Sequence, residues 1–167
     1  SVMDHTPGQG QYRNVETLVA NRIKSGLSEE EARLHVERRI ENAVSAEQII
    51  ENLERLSALC KSHNVAMASH DDDSVERSNL MADLGVVISE FPVTLEAAAV
   101  AKERSLMIAM GAPNAMRGQS YSGNLSARVA HSEGLLHILA ADYHPAAILP
   151  AIHALSASDP DGLVGAV

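Results

Sequence analysis

Five polar residues of this chain follow directly on short apolar runs. They are His5, His70, Glu90, Asn114 and Asp142. Neutral imidazoles and carboxylates at rigid positions are good ligands for a borderline divalent metal. Such a metal lowers the pKa of its bound water toward about 7 and so makes hydroxide available at neutral pH.

His5, His70 and Asp142 are therefore the candidate metal ligands. Asp142 is also the candidate catalytic base, because a carboxylate beside the metal would accept the proton of the bound water. The sequence contains no short HxH or HExxH spacing. The alternative is therefore that these side chains are polar residues held by backbone hydrogen bonds.

Two glycine-containing loops carry donors suited to phosphate oxygens. Glycines let the backbone approach a ligand closely, and amides, hydroxyls and guanidinium groups donate hydrogen bonds to phosphate. The candidate phosphate contacts are Gln9, Gln11, Arg13, Asn114, Arg117, Ser122 and Asn124. The second loop, residues 111–124, lacks the Gly-Lys-Ser/Thr ending of a nucleotide-binding P-loop. Each loop, taken by itself, is more often a simple connection than a binding site.

The elements between these residues alternate as strand, turn and helix. A strand tail precedes His5, and apolar runs at 65–68, 86–88, 106–110 and 135–139 predict further strands. Helices are predicted after the capping boxes at Ser28 and Ser45, and over 75–84 and 95–104. This alternation predicts a parallel sheet buried on both faces with helices outside. In such folds the active site lies at the carboxyl ends of the strands.

The acidic run at 71–73 falls at one of these strand ends. Aspartates favour the first residues of helices, where they accept hydrogen bonds from backbone N–H groups. The run is therefore either a helix N-cap or part of the ligand set, and the spacing does not decide between the two.

Composition excludes several classes of function. The 167 residues carry 13 Lys and Arg against 22 Asp and Glu, a net charge of -9, and only 2% aromatic residues. That balance argues against a nucleic-acid partner. No apolar stretch is long enough to cross a membrane, and the single cysteine forms no intrachain disulfide. We expect a cytoplasmic protein with a small-molecule substrate.

Six short motifs, in order along the chain, resemble the diphosphatase family of the carbon–phosphorus lyase pathway, within the amidohydrolase superfamily. They are MDHTPGQGQYR at 3–13, ASHDDD at 68–73, SEFP with Thr94 at 89–94, MGAPN at 110–114, SGN with SAR at 122–128, and DY with Pro145 at 142–145. They cover nearly the whole chain apart from 14–63.

The resemblance implies the later part of a (β/α)8 barrel, with residues 1–167 forming a partial domain that is truncated at both ends. It also implies metal-dependent hydrolysis of α-D-ribose 1-methylphosphonate 5-triphosphate to the 5-phosphate and pyrophosphate. In that superfamily a histidine after the fifth strand and one after the sixth bind one metal, and an aspartate after the eighth binds the other. Carried over, these correspond to His5, His70 and Asp142. The metal would be zinc, manganese or iron, with two ions in the intact protein.

The chain departs from the family in three respects. The metal ligands of the early strands are absent, 167 residues supply only the later part of a barrel without the family's C-terminal extension, and Tyr121 stands where the family has a histidine. In addition, one more strand is predicted than fits between strands five and eight. We expect either 86–88 or 106–110 to be an accessory strand. The alternatives are a carbon–nitrogen hydrolase of the same superfamily, or an inactive fragment that forms a homo-oligomer through its open sheet.

Overall fold

The computed structural model describes residues 1–3, 7–8, 10, 14–120, 123–157 and 159. Five parallel strands form one sheet in the order in which they occur along the chain. Their bounds are β1 Val2–Met3, β2 Met67–His70, β3 Val86–Glu90, β4 Met107–Gly111 and β5 Ile138–Ala140. The predicted parallel α/β arrangement is thereby confirmed.

Eight helices lie between and after these strands in the described part of the chain. Their bounds are α1 Val15–Lys24, α2 Glu29–Glu41, α3 Ala46–Ser62, α4 Val75–Asp83, α5 Leu95–Glu103, α6 Ala112–Arg117, α7 Ala127–Ser132 and α8 Ile148–Ser156. The Ser28 capping box is present, and the Ser45 side chain accepts from the Gln48 N–H. Sequence patterns missed α1, which packs on α2 through a small separate core of Leu18, Val19, Ala32 and Val36.

The prediction that residues 86–88 or 106–110 form an accessory strand is wrong, because β3 pairs with β2 on one side and with β4 on the other. Both strands are full members of the sheet. The sheet of the described residues is open, so it does not by itself demonstrate a closed barrel.

The register of the sheet divides its side chains between two faces, because adjacent partners in parallel strands point to the same side. Ser69, Ser89 and Ile108 form one row, and all three are fully buried. The row on the opposite face consists of Met3, His70, Glu90, Ala109 and Ile138.

Only the first of these faces is continuously covered. The main core contains Met67, Met81, Ala98, Ala101 and Ile108, so α4 and α5 pack against that face. The second face leaves Met3 51% and Met107 48% exposed. The expectation of a sheet buried on both faces therefore holds for one face only. The second face carries the row that contains His70 and Glu90.

No helix within the described ranges is long and apolar enough to cross a membrane.

The buried centre of β4 allows a test of this packing. Ile108 is 0% exposed and lies in the main core, whereas Leu149 on α8 is 77% exposed. We expect Ile108→Ala to lower the free energy of unfolding by about 2–5 kcal/mol, because it leaves a cavity. Leu149→Ala should change it by less than about 0.5 kcal/mol. Urea denaturation of both variants measures the difference, and equal effects would contradict the assigned core.

Candidate active site

A cleft of about 200 Å³ lies at the carboxyl ends of β2 to β5. Its polar lining comes from the segments that follow three strands, β2, β4 and β5, and consists of Asp71, Asn114, Arg117, Ser120, Asn124, Asp142 and Tyr143. Phe91, Pro92, Val93, Met110, Pro113 and Leu125 supply its apolar walls. Pockets for drug-sized ligands usually measure about 300–1,000 Å³. The cleft is therefore of a size to take one polar group of a substrate.

Asp142 lies in this cleft two residues after the end of β5. Its backbone has φ 53°, a left-handed conformation that aspartate tolerates better than most residues. A Cβ atom added at Gly111 would lie 3.8 Å from Asp142 Oδ2 and 3.9 Å from Phe91 Cε1. The Asp142 carboxylate and the Phe91 ring therefore flank the end of β4.

His70 occupies the last position of β2 and is partly buried. Its Nδ1 lies 2.8 Å from Glu90 Oε2, and its Nε2 lies 3.7 Å from Asp71 Oδ2. The imidazole also meets Phe91 edge to face, with ring centroids 5.3 Å apart. His70 is not among the residues that line the cleft, but Asp71 and Phe91 are. The two predicted ligands His70 and Asp142 therefore both lie at the carboxyl ends of the strands, and Phe91, which contacts His70, lines the cleft that contains Asp142.

The acidic run does not cap a helix, because the N-cap of α4 is Ser74, whose side chain accepts from the Arg77 N–H. That interpretation is therefore wrong. The three carboxylates of this run have three different environments. Asp71 lines the cleft, Asp72 is buried beneath it, and Asp73 Oδ2 accepts from the Gly10 N–H at 2.7 Å.

Asp72 joins β2 to β3 at their polar ends. Its Oδ2 accepts hydrogen bonds from Ser69 Oγ and, at 3.1 Å, from Ser89 Oγ. Its Oδ1 is buried without a hydrogen-bond partner among the described residues, and Arg77 Nε lies 3.9 Å away. Burial raises the pKa of this carboxyl, although the two serine hydrogen bonds and the Arg77 charge oppose the rise.

The first half of the predicted loop 111–124 is helix α6. Pro113 lies at the start of this helix and Gly118, with φ 81°, ends it. A Cβ on residue 118 would come within 3.0 Å of Arg128 Cζ. Arg128 donates to the carbonyls of Ala115 and Met116. The contacts of Arg128 explain why glycine suits this position and why the SAR motif contains an arginine.

Arg117 and Asn114 both lie on α6 and both line the cleft, yet they differ in their contacts. Arg117 Nη1 donates to the phenol oxygen of Tyr143 at 2.7 Å. The Asn114 side chain accepts from the Ala127 N–H at 2.9 Å and donates to the Leu125 carbonyl at 3.3 Å. Asn114 thus orders the segment that follows α6, whereas Arg117 presents a cation to the cleft.

Several predicted site residues fall outside the described part of the chain. They are His5, Gln9, Gln11, Arg13 and Ser122. Tyr121 also lies outside the described part. Their assignments stay predictions. Asn124, by contrast, is described and lines the cleft.

Within the described ranges, no three His, Cys, Asp or Glu side chains are arranged to hold a metal ion. His70 and Asp142 therefore do not form a metal centre together with the other described residues. The predicted site also includes His5, which lies outside the described residues, so its existence stays a prediction.

Sequence reasoning gave no role to Phe91 or Tyr143, named Glu90 only as a polar residue at a strand end, and considered Asp72 only as part of the acidic run. All four contribute to this rim. Tyr143 directly follows the candidate base and could have been found as its neighbour. The Glu90–His70 contact depends on the register between two strands, and no linear spacing reveals it.

The fold and the site together define an α/β protein with parallel strands and a polar cleft at the carboxyl ends of those strands, as in many enzymes. Comparison with known proteins then narrows this class. The chain is 40% identical over 152 residues to the alpha-D-ribose 1-methylphosphonate 5-triphosphate diphosphatase of Escherichia coli strain K12. The match covers 90% of this chain and 40% of that protein. The resemblance found from short motifs is thereby confirmed over nearly the whole chain.

Two further comparisons gave no match. No family model matches the chain, and no solved structure matches it.

The buried Asp72 generates a pH-dependent prediction. Burial raises the pKa of Asp72 in the folded chain above its value in the unfolded chain. The contribution of Asp72 to the free energy of unfolding is therefore greatest below the ordinary aspartate pKa of about 3.9. This contribution declines as the pH rises through the pKa that Asp72 has in the folded chain. Asp72→Asn removes this titration. We expect the free energy of unfolding of the variant, relative to the unsubstituted chain, to increase from about pH 4 toward neutrality. Denaturant titrations across this range measure it.

Asp83→Asn is the control, because Asp83 is an exposed carboxylate at the end of α4, the helix that follows Asp72. It should not reproduce the trend. A difference between the Asp72 variant and the unsubstituted chain that is independent of pH would contradict the assignment.

Proposed function

We propose that this chain is part of a hydrolase of phosphonate catabolism that releases pyrophosphate from α-D-ribose 1-methylphosphonate 5-triphosphate. The observation that carries the proposal is the 40% identity over 152 residues to a diphosphatase for this compound. Because the chain spans about 40% of the length of that relative, the activity is assigned to a longer protein that contains these residues.

Asp142 is the proposed general base. It lies in the cleft, and the absence of a side chain at Gly111 leaves room beside its Oδ2 atom. A carboxylate at hydrogen-bond distance from a water molecule can take its proton as that water attacks phosphorus. The rigid ends of β4 and β5 would hold Asp142 in place for this step.

Arg117 is the proposed contact for the pyrophosphate that leaves. Its guanidinium group shares the cleft with Asp142 and donates to Tyr143. Arginine can donate two parallel hydrogen bonds to phosphate oxygens, and its charge stabilises the negative charge that develops as the anhydride bond breaks. Asn124 and Ser120 add polar groups to the same wall.

The expected zinc, manganese or iron ions enter the proposal only as a requirement of the longer protein. The described side chains do not form a metal centre by themselves, and no step above depends on one. We likewise propose a small phosphorylated ribose as the ligand, with Gln9, Gln11, Arg13 and Ser122 as further phosphate contacts and His5 as a metal ligand, each to be tested by substitution.

The isolated chain is expected to be inactive on this substrate. The match leaves more than half of the length of the Escherichia coli diphosphatase uncovered. Purified chain incubated with the substrate and added zinc or manganese should release no pyrophosphate above background. Turnover comparable to that of the Escherichia coli enzyme would contradict the assignment to a longer protein.

A chimera tests the proposed chemistry directly. The chain replaces the matching segment of the Escherichia coli diphosphatase, and pyrophosphate release is followed with the unsubstituted diphosphatase as the positive control. We expect the chimera to turn over substrate and Asp142→Asn to reduce kcat by about 100-fold or more, because proton transfer is lost in the transition state. Glu103→Gln, at an exposed position on α5, is the matched control. A folded chimera without activity, or an unimpaired Asp142→Asn variant, would overturn the proposal.

Substitution of Arg117 separates binding from chemistry in the same chimera. We expect Arg117→Ala to lower kcat/KM by about 10-fold or more, because a charge-assisted contact to a phosphate oxygen is lost. Tyr143→Phe keeps the ring but removes the phenol that Arg117 contacts, so its effect should be smaller and in the same direction. Arg104→Ala, which breaks an exposed ion pair with Asp83, should leave kcat/KM unchanged. An effect of Arg104→Ala equal to that of Arg117→Ala would argue against a specific role.

A further inference from the structure

The segments that follow the first four strands are joined to one another by hydrogen bonds. Asp73 Oδ2, after β2, accepts from the Gly10 N–H, after β1, at 2.7 Å. The Val93 N–H, after β3, donates to the Asp72 carbonyl at 2.9 Å, and the Leu125 N–H, after α6, donates to the Val93 carbonyl at 2.9 Å. Val93 and Leu125 form walls of the cleft. This series of contacts therefore leads from the loop after β1 to the cleft.

The contact with Gly10 differs from the other two, because a side chain makes it. A charged carboxylate binds a backbone N–H more strongly than a neutral carbonyl does. Gly10 is buried, and it lies 63 residues from Asp73 along the chain. The Asp73 carboxylate therefore joins two distant segments of the sequence at the strand ends, and a single substitution can remove this link.

The backbone of Asp73 is fixed by the starts of two helices. Its carbonyl accepts from Thr94 Oγ1 at 3.3 Å, and the same hydroxyl accepts from the Ala97 N–H at 3.1 Å as the N-cap of α5. The next residue, Ser74, is the N-cap of α4. The Asp73 carboxylate is thus attached to a well-anchored turn and offers Gly10 an acceptor at a defined position.

We propose that Asp73 is a positioning residue, which fixes the loop after β1 at the strand ends so that the donors of this loop can bind phosphate. Gln9 and Gln11 flank Gly10 in the sequence, and Arg13 is close behind. A fixed Gly10 limits the positions that these neighbours can reach, and a preorganised loop binds more tightly because less ordering is needed on binding. The inference rests on the proposed function for the identity of the ligand. Asp73 acts only through Gly10.

Hydrogen exchange at the Gly10 amide, followed by NMR, measures the anchor in the purified 167-residue chain. In the unsubstituted chain we expect slow exchange, because this N–H is buried and hydrogen bonded. Asp73→Ala should accelerate the exchange by about 10-fold or more. Asp73→Asn keeps an acceptor oxygen and should have a smaller effect. Glu76→Ala, at an exposed acidic residue in the first turn of α4, is the matched control and should cause no change.

The affinity for inorganic pyrophosphate measures the effect on the ligand. Pyrophosphate is titrated calorimetrically into the chimera with the Escherichia coli diphosphatase. We expect Asp73→Ala to raise the dissociation constant by about 10-fold or more. Asp73→Asn should restore most of the affinity, and Glu76→Ala should leave it unchanged. A purely structural role would lower the free energy of unfolding of the chimera without changing the affinity of the molecules that remain folded.

Rapid exchange of the Gly10 amide in the unsubstituted chain overturns the proposal, and so does slow exchange that persists in folded Asp73→Ala. Unchanged pyrophosphate affinity in folded Asp73→Ala also overturns it, as does an unsubstituted chimera that does not bind pyrophosphate. If Asp73→Ala fails to fold, Asp73→Asn decides through the same two measurements. A chimera whose affinity for pyrophosphate depends on Asp73, but which releases none from the substrate, would contradict the proposed function while supporting the role of Asp73.

Discussion

The carboxylate of Asp72 determines how the polar ends of two strands meet. Its Oδ2 accepts from Ser69 on β2 and Ser89 on β3, which are register partners. Any slip of one residue between these strands would separate the serines and turn His70 away from Glu90, because side chains alternate between the faces of a sheet. A buried carboxylate is costly unless its hydrogen bonds are satisfied. The elevated pKa of Asp72 records part of that cost.

Backbone strain is concentrated at the same rim. Asp71, Phe91 and Asp142 each follow a strand closely and adopt φ between 53° and 57°. Left-handed backbone at a bulky residue such as Phe91 is uncommon and costs on the order of 1 kcal/mol or more. Residues of this kind cluster at functional sites, where surrounding contacts hold them in place. Here the contacts are the Asp71 N–H to Glu90 carbonyl bond and the Phe91 N–H to Ala109 carbonyl bond, which extend the parallel ladders.

Sequence patterns predicted the parallel sheet because turn residues follow each apolar run, and they located Asp142 and Arg117 at the cleft. They were wrong about an accessory strand, because periodicity reports that a strand exists and not which strands it pairs with. They also left α6 within a loop. Helix α6 has only six residues and no side-chain cap, so it depends on Pro113 at its start and Gly118 at its end. It also depends on the hydrogen bonds from Arg128 to the carbonyls of Ala115 and Met116. These Arg128 contacts can be seen only in the three-dimensional structure.

Asn114 and Arg117 both lie on α6, but their side chains make different contacts. Asn114 faces the segment that begins α7, and both groups of its amide are used there. Arg117 lies three residues later, nearly one helical turn away, and therefore reaches the same cleft from the next turn. The Asn114 contacts hold Leu125 and Ala127 in place, and Leu125 forms a wall of the cleft. A substitution at Asn114 would therefore change the shape of the cleft wall at Leu125, whereas one at Arg117 would change the charge within the cleft.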